Sequence, residues 1–268
     1  MSKAPLRSVK NYRAFLQAEA AKIENPEAGF FGPKSMAWRL NREVVLGLVV
    51  LRTILMQVAH PKVAQGVADH SDFEHKPFER ALATLKAQQA IVFGNCEESM
   101  GALVRIYARH VAVVGEVEGQ RYEANDPKLL FWVYATLIDS MHYAYRNLLP
   151  DLSVEEWAAF YEEGKFFAHL MGIPTEMVPS TKTDFDQWIN GQLEGEEIHV
   201  LPVARQIAHS LLSTPLRLVW PLTAYLAAGS LPDRLRERFE LPWGRVREGI
   251  YRRGAKLLRW GIRWLPSI

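Results

Sequence analysis

The chain has 268 residues, of which 49% are hydrophobic, 11% aromatic and 23% charged. This composition excludes intrinsic disorder and collagen-like sequence, because such chains lack the apolar surface needed to offset the entropy of ordering. The 32 basic and 30 acidic residues leave a formal charge of +2, which gives no reason to expect nucleic-acid binding. The single cysteine, Cys96, excludes an intrachain disulfide and a cysteine-rich metal site.

Helical periodicity dominates the chain, and no segment shows the alternation that predicts a β-strand. Apolar spacing and breaker residues predict helices over 12–23, 36–59, 78–92, 98–114, 127–147, 154–171, 185–193, 196–212, 216–228, 232–239 and 245–264. We expect Ser35 to cap the second helix, Pro127 to take the first helical position, and Ser153 and Glu156 to form a capping box. The apolar part of the second helix is too short and, with Arg52, too charged for a membrane span.

These elements predict one all-α domain without internal repeats or flexible linkers. We divide the chain into an N-terminal helical extension (1–34), a main domain (35–240) and a basic, Trp-rich C-terminal helix (241–268) that packs on the domain. The first fifteen residues contain no apolar run and therefore no signal peptide. Together with the lone cysteine, this predicts a cytoplasmic protein, with membrane association left open.

His110 is the first candidate functional residue. It shares a helix face with apolar side chains, namely Leu103, Ile106, Tyr107, Val113 and Val114. A buried imidazole must form a hydrogen bond or bind a metal, because an unpaired polar group in apolar surroundings is costly. Taken alone, the pattern favours a hydrogen-bonded core histidine over a metal ligand.

Arg80 and Thr84 lie four residues apart and so share one face of a predicted helix. An arginine and a hydroxyl that face a pocket could bind a carboxylate or polarise bound oxygen. Taken alone, the pair is more typical of a solvent-exposed face.

His60 ends the most apolar predicted helix, which places it close to the core. The stretch that follows it carries acidic and histidine side chains that could form a metal site but are more typical of a solvated loop, namely Asp69, His70, Asp72 and His75. A second metal hypothesis comes from Glu196 and His199, since helical di-iron proteins use Glu-x-x-His pairs. Only this one pair fits the pattern with glutamate, so a di-iron centre is an alternative and not our choice.

Several motifs, in a fixed order, together resemble one known family. They are Ala59-His60-Pro61, Gly66-Val67, His70-Ser71, Phe73, Pro77, Arg80, Thr84, Val92-Phe93-Gly94, His110, Val114-Gly115, Tyr122-Glu123-Ala124-Asn125-Asp126-Pro127 and Phe131-Trp132-Val133-Tyr134-Ala135. Over residues 35–240 the chain resembles the catalytic domain shared by bacterial rubber oxygenases (latex clearing proteins) and fungal ER-bound oxygenases of mycophenolic acid biosynthesis. The order and spacing of the motifs carry the resemblance, since each motif is weak alone.

The resemblance implies a globin-like helical fold that holds haem b, with His110 as the axial iron ligand and Arg80 and Thr84 in the haem pocket. Rubber oxygenases have a lysine where this chain has Ala83, so rubber cleavage itself is not implied. We take His60 as the candidate for the distal side of the haem. The implied function is activation of O₂ for oxidation of an apolar, isoprenoid-like substrate, and the alternative is a non-catalytic haem sensor or carrier.

The C-terminal segment interleaves basic residues with tryptophan and leucine. Such a helix suits the surface of an anionic membrane. The alternative is a terminal helix that packs Leu257, Trp260 and Trp264 on the domain and leaves its arginines in water. We favour this packing over membrane binding.

Overall fold

A computed structural model describes residues 8–71, 77–212 and 220–262. Its helices are α1 Val9–Ala20, α2 Met36–Asn41, α3 Val50–Val58, α4 Pro61–His70, α5 Pro77–Phe93, α6 Cys96–Val111, α7 Pro127–Asn147, α8 Val154–Leu170, α9 Lys182–Glu194, α10 Pro202–Leu212, α11 Trp220–Ser230, α12 Asp233–Arg238 and α13 Arg245–Ile262. Short 3₁₀ turns cover Pro26–Ala28, Val44–Val49 and Thr175–Met177. The all-α prediction is confirmed, and the predicted caps at Ser35, Pro127 and Ser153 are all present.

The prediction that the chain contains no strand is wrong. Strands β1 (Val114–Val117) and β2 (Gln120–Glu123) form an antiparallel hairpin that pairs Val117 with Gln120. Its two-residue loop places both Glu118 (φ 52°) and Gly119 (φ 73°) in the left-handed region, as tight hairpin turns require. The predicted helix over 98–114 therefore ends early, at Val111.

The predicted helix over 36–59 is also wrong, because the structure divides it into three parts. Helix α2 ends at Asn41, a 3₁₀ turn covers Val44–Val49, and α3 begins only at Val50. Four valines and Gly47 lie in or beside the turn, and both β-branched residues and glycine disfavour an α-helix. The polar stretch after His60, predicted as a loop, is helix α4 from Pro61 to His70.

One predicted helix near the C-terminus begins later than expected. Helix α10 begins at Pro202, where proline fits the first turn, so the predicted residues 196–201 lie outside it. The start of the predicted helix over 216–228 and the end of the one over 245–264 lie outside the described residues.

Helix α7 lies at the centre of the main hydrophobic core. Its buried residues pack with α3, α8, α9 and α10, and the largest fully buried side chains include Tyr134, Tyr161 and Phe185. An ion pair joins the buried Arg52 of α3 to the half-buried Asp139 of α7, with 2.5 Å between Nη2 and Oδ2. Arg52 also donates to the Ser140 hydroxyl and to the carbonyl oxygen of Ser230, so its guanidinium is well supplied with acceptors.

A second, smaller core joins α1 to α6 and α8. The Tyr12 ring stacks on Tyr107 with 4.3 Å between ring centroids, and the Tyr12 hydroxyl donates to the carbonyl oxygen of Leu170. Gly29 lies against the α5–α6 connection with φ 77°, and a Cβ at that position would come within 2.1 Å of the Gly94 carbonyl oxygen. The N-terminal segment is thus seated on the helix that carries His110.

Within the described ranges, no single helix is long and apolar enough to cross a membrane. The segments Val45–Val58 and Pro61–His70 meet the length and composition requirements only together, and they are bent by 102° where they join.

Candidate functional site

His110 lies in the last turn of α6, whose start is fixed by a capping box between Asn95 and Glu98. Leu103 and Tyr107, which precede it on the same helix face, are buried as predicted. The Nδ1 atom of His110 is buried and has no hydrogen-bond partner among the described residues. Burial lowers the pKa of the imidazole, so the ring is neutral near pH 7.

Asn125 is the polar side chain that influences His110. Its amide nitrogen donates to the carbonyl oxygen of Tyr107 over 3.2 Å, which ties the loop after β2 to the last turns of α6. Its amide oxygen is buried and has no partner in the described part of the chain. The interaction of Asn125 with the imidazole opposes the effect of burial and raises the pKa of His110 in part. A modest rotation that lets Nδ1–H donate to the Asn125 oxygen would satisfy both unpartnered atoms.

His60 caps the start of α4. Its Nδ1 accepts a hydrogen bond from the Lys62 backbone N–H over 3.2 Å, which makes Nε2 the nitrogen that carries the proton. The side chain is only 7% exposed and lies beside Trp132, with 6.3 Å between the ring centroids. Burial, aided by the charge of Lys62, lowers the pKa of His60 to about 4. His60 is therefore neutral at pH 7, and its Nδ1 caps the start of α4.

Family-like motifs from two parts of the chain, residues 66–71 and 114–127, meet where α4 packs on the hairpin. The Tyr122 hydroxyl donates to the carboxylate of Asp69 over 2.5 Å, and His70 Nε2 lies 3.0 Å from the carbonyl oxygen of Val114. Gly66 lies close to the hairpin, since a Cβ there would be 3.3 Å from Val113 Cγ1 and 3.4 Å from the Tyr122 ring. Asp69 and His70 thus hold the hairpin in place, which explains their presence without a metal.

The rest of that metal hypothesis, Asp72 and His75, lies outside the described residues. Across the residues that the structure describes, no three histidine, cysteine, aspartate or glutamate side chains come together as a metal site. The di-iron alternative is not supported either, because Glu196 and His199 precede α10 and share no helix face. His199 instead bonds through Nδ1 to the backbone carbonyl of Glu196 and through Nε2 to the carboxylate of Glu118.

Arg80 and Thr84 lie on α5, which packs against α6. The two helices are joined by only Gly94 and Asn95, so they run antiparallel and the early turns of α5 lie along the late turns of α6. The topology therefore brings the backbone of Arg80 and Thr84 to the end of α6 that carries His110. Thr84 itself is exposed, which differs from the expectation that it faces a closed pocket.

A cavity of about 40 Å³ borders the same helix one turn further on, next to Gln88. Gln88 donates to the side-chain oxygen of Asn41 there over 3.1 Å. Small-molecule sites commonly measure about 300–1,000 Å³, so this cavity holds a water molecule or two and not a cofactor. A wider groove of about 1,030 Å³ opens between α1, α5 and α6, but its lining, which includes Arg13, Glu97 and Arg105, contains none of the predicted site residues.

The residues present therefore fit a haem in one respect and fail to fit it in another. A neutral imidazole whose Nδ1–H can donate to Asn125 keeps its Nε2 lone pair, which is the kind of donor that an iron porphyrin binds. The volume of the cavity beside α5 does not match the cofactor. Asn125, which the sequence analysis quoted in a family-like motif without a role, is the new member of the site. Its place in that motif, just before the capping residue Asp126 of α7, was the signal that could have indicated a fixed orientation.

Comparisons with known proteins support the family resemblance that the motifs indicated. The chain is 27% identical over 235 residues to the uncharacterized protein Mb2261 of Mycobacterium bovis and to the same extent to the uncharacterized protein Rv2237 of Mycobacterium tuberculosis. Each alignment covers 82% of this chain and 89% of the relative. No solved structure matches, so the globin-like arrangement stays a prediction. The family model described as "ER-bound oxygenase mpaB/B'/Rubber oxygenase, catalytic domain" matches residues 38–260, and the chain belongs to that family.

Proposed function

We propose that the protein is a haem b-dependent oxygenase whose iron is held by His110 and whose substrate, besides O₂, is an apolar small molecule. Membership of an oxygenase family supports an oxygenase-type activity. The single observation that carries the haem assignment is the neutral His110: its buried Nδ1–H can donate to the Asn125 oxygen, which leaves the Nε2 lone pair for the iron. When bound, the haem would supply the binding and activation of O₂.

The residues of this chain would bind and orient the cofactor. His110 would donate a nitrogen lone pair to the iron, and Asn125 would accept the proton of the other ring nitrogen and so fix the imidazole plane. Arg80 is expected to pair with a haem propionate or polarise the distal ligand, and Thr84 to donate a hydrogen bond nearby. His60, protonated at Nε2, suits hydrogen-bond donation on the distal side better than binding to iron.

Cofactor loading also requires more space than the cavity beside α5 provides. We therefore expect the early turns of α5 to change position when haem binds, because they carry two of the expected pocket residues. Slowed amide hydrogen exchange over 77–93 in the loaded protein would support this expectation.

Haem titration of the purified protein tests the proposal. We expect a Soret band, a pyridine haemochrome spectrum of haem b, and a loss of affinity of at least tenfold in His110→Ala. His199→Ala is the matched control, because this exposed histidine was the candidate ligand of the di-iron alternative and should leave haem binding unchanged. Normal haem binding by His110→Ala would disprove the assignment of the ligand.

A haem-binding carrier or sensor is the second candidate, and the specific observation that favours it is Ala83. Rubber oxygenases have a distal lysine at this position, which the chain lacks. O₂ consumption by the haem-loaded protein with isoprenoid-like substrates separates the two candidates, since a carrier binds haem without substrate-dependent uptake of O₂.

A further inference from the structure

Helix α13 has two apolar faces, and only one of them packs on the domain. Tyr251 and Ile262 are buried, and Ala255 and Leu258 lie half-buried against the main core. The Tyr251 hydroxyl lies 2.7 Å from that of Tyr143 on α7, which anchors the helix. These four residues share one side of the helix, so its orientation on the domain is fixed.

The other apolar face of α13 is exposed. Val246, Ile250, Leu257 and Trp260 are 76%, 57%, 69% and 66% exposed, respectively. Their spacings of four, seven and three residues place them in one stripe on the side away from Tyr251. They are four of the nine exposed large hydrophobic side chains among the described residues, so the exposure is concentrated on this helix. The expectation that Leu257 and Trp260 pack on the domain is wrong, and Trp264 lies outside the described residues.

Basic side chains border the exposed stripe. Helix α13 carries six basic residues and one acidic residue, a formal charge of +5 in a chain whose total is only +2. Arg252, Arg253 and Lys256 are exposed, and Arg253 lies within the stripe itself. The acidic residue, Glu248, is neutralised locally by Arg252, with 2.5 Å between the two side chains. The surface around the stripe is therefore positively charged.

The charge decides what can cover this stripe. A symmetric contact with a second copy would bring two identical positive surfaces together, which is unfavourable. Nucleic acid would satisfy the arginines but would leave the aliphatic stripe without an apolar partner. An anionic lipid surface satisfies both features, because aliphatic side chains and tryptophan enter the headgroup boundary while lysine and arginine pair with lipid phosphates.

We propose that the exposed stripe of α13 docks the protein on an anionic membrane, with Val246, Ile250, Leu257 and Trp260 inserted at the headgroup boundary. The helix lies in the plane of the surface, because its opposite side is anchored to α7. Each basic residue near the surface adds electrostatic attraction, which falls as the salt concentration rises. This inference is independent of the haem proposal, since it rests on a different part of the chain.

Co-sedimentation of the full-length protein with vesicles tests the inference. We expect binding to phosphatidylcholine vesicles that contain about one-third phosphatidylglycerol, and at least tenfold weaker binding to pure phosphatidylcholine. Raising the salt from about 0.05 M to about 0.5 M should weaken the binding to the anionic vesicles, because the charges are exposed. Absence of binding to anionic vesicles at low salt would overturn the inference.

Variants separate insertion from simple charge attraction. The double variant Leu257→Ser, Trp260→Ser should lose at least tenfold in vesicle binding while keeping the thermal unfolding midpoint, since both side chains are exposed. Arg253→Gln with Lys256→Gln should lose affinity for anionic vesicles specifically. Val154→Ser is the matched control, because Val154 is 80% exposed on another helix.

Three results would contradict the docking surface. Unchanged binding of the Leu257, Trp260 variant would mean that the stripe does not insert. A dimer in light scattering that disappears in this variant would mean that the stripe joins two copies of the chain, which also overturns the inference. Binding to a nucleic-acid duplex with no binding to vesicles would do the same.

Discussion

His60 couples the stability of the fold to pH. Its pKa of about 4 in the folded protein lies below the ordinary value near 6.5, because the ring is buried beside Lys62. As the pH falls through this window the unfolded chain takes up the proton first, so stability that is present at pH 7 is lost between pH 6.5 and about 4. The difference between the two pKa values corresponds to a loss of roughly 3 kcal/mol over the whole window.

We therefore expect the free energy of unfolding of His60→Asn to fall less steeply than that of the wild type as the pH drops below 7. Asparagine keeps an acceptor for the Lys62 N–H but does not titrate. Urea unfolding at pH 7 and pH 4.5 measures the change, and the wild type should lose roughly 2 kcal/mol more than the variant over that range. His199→Asn is the control, because the bond to Glu118 raises the pKa of His199 despite burial and gives the opposite trend. Parallel pH profiles of wild type and His60→Asn would contradict the prediction.

Asn125 is expected to act as a positioning residue for His110. Removing its amide oxygen in Asn125→Ala should weaken haem binding by about 10–100-fold, the usual cost of losing an outer-shell partner of a metal-binding histidine. It should also lower the iron–histidine stretching frequency in resonance Raman spectra of the ferrous protein, whereas Asn125→Asp should raise it. A purely structural role would change affinity and leave the frequency unchanged.

The hairpin is the element that sequence reasoning missed, and the reason is its length. Two four-residue strands offer too little alternation to rise above the helical pattern on either side, and Val113 and Val114 fit the face of His110 at helical spacing. The Glu118-Gly119 pair was the available signal, since glycine in a two-residue loop indicates a hairpin turn. The caps, in contrast, were predictable because they depend on residues within four positions of each other.

The hairpin also leads to a prediction about the stability of the protein. A Cβ at Gly115 would come within 2.5 Å of the Tyr122 hydroxyl, so Gly115→Ala must push the ring off Gly66 or break its bond to Asp69. We expect a destabilisation of about 1–3 kcal/mol, as for overpacking elsewhere. Gly191→Ala is the matched control, since a helical Cβ there meets nothing within 4 Å and should stabilise by about 0.5–1 kcal/mol. Chemical denaturation compares the two, and equal effects would contradict the prediction.

Across the whole molecule, the buried pair Arg52–Asp139 joins α3 to α7. Asp139→Ala leaves the guanidinium, only 4% exposed, without its carboxylate and should cost about 3–5 kcal/mol. The double variant Arg52→Met, Asp139→Leu should be less damaged than that single variant, because it removes the charge along with its partner. Thermal and urea unfolding measure both, and additive effects would contradict the prediction.

Features that depend on contacts between residues close in sequence could be predicted, whereas those that depend on contacts between distant residues could not. The all-α class, the helix caps and the burial of Leu103 and Tyr107 on the face of His110 depend on neighbours in sequence and were predicted. The roles of His60, Asn125 and Arg52 depend on partners that the fold brings close, such as the carbonyl of Ser230 for Arg52. Arg52 stood out only as a charge in an apolar run, and its partner could not be read from that pattern.

The stacking of α1 on α6 has a consequence for the evolution of the site. The family model begins at residue 38, yet Tyr12 and Gly29, which precede it, support the helix of His110 through Tyr107 and the Gly94 turn. A relative without this segment has to cover the same face of α6 with something else. Divergence outside the shared domain is thus a route by which the tilt of the helix that carries His110 can change while every motif inside the domain stays the same.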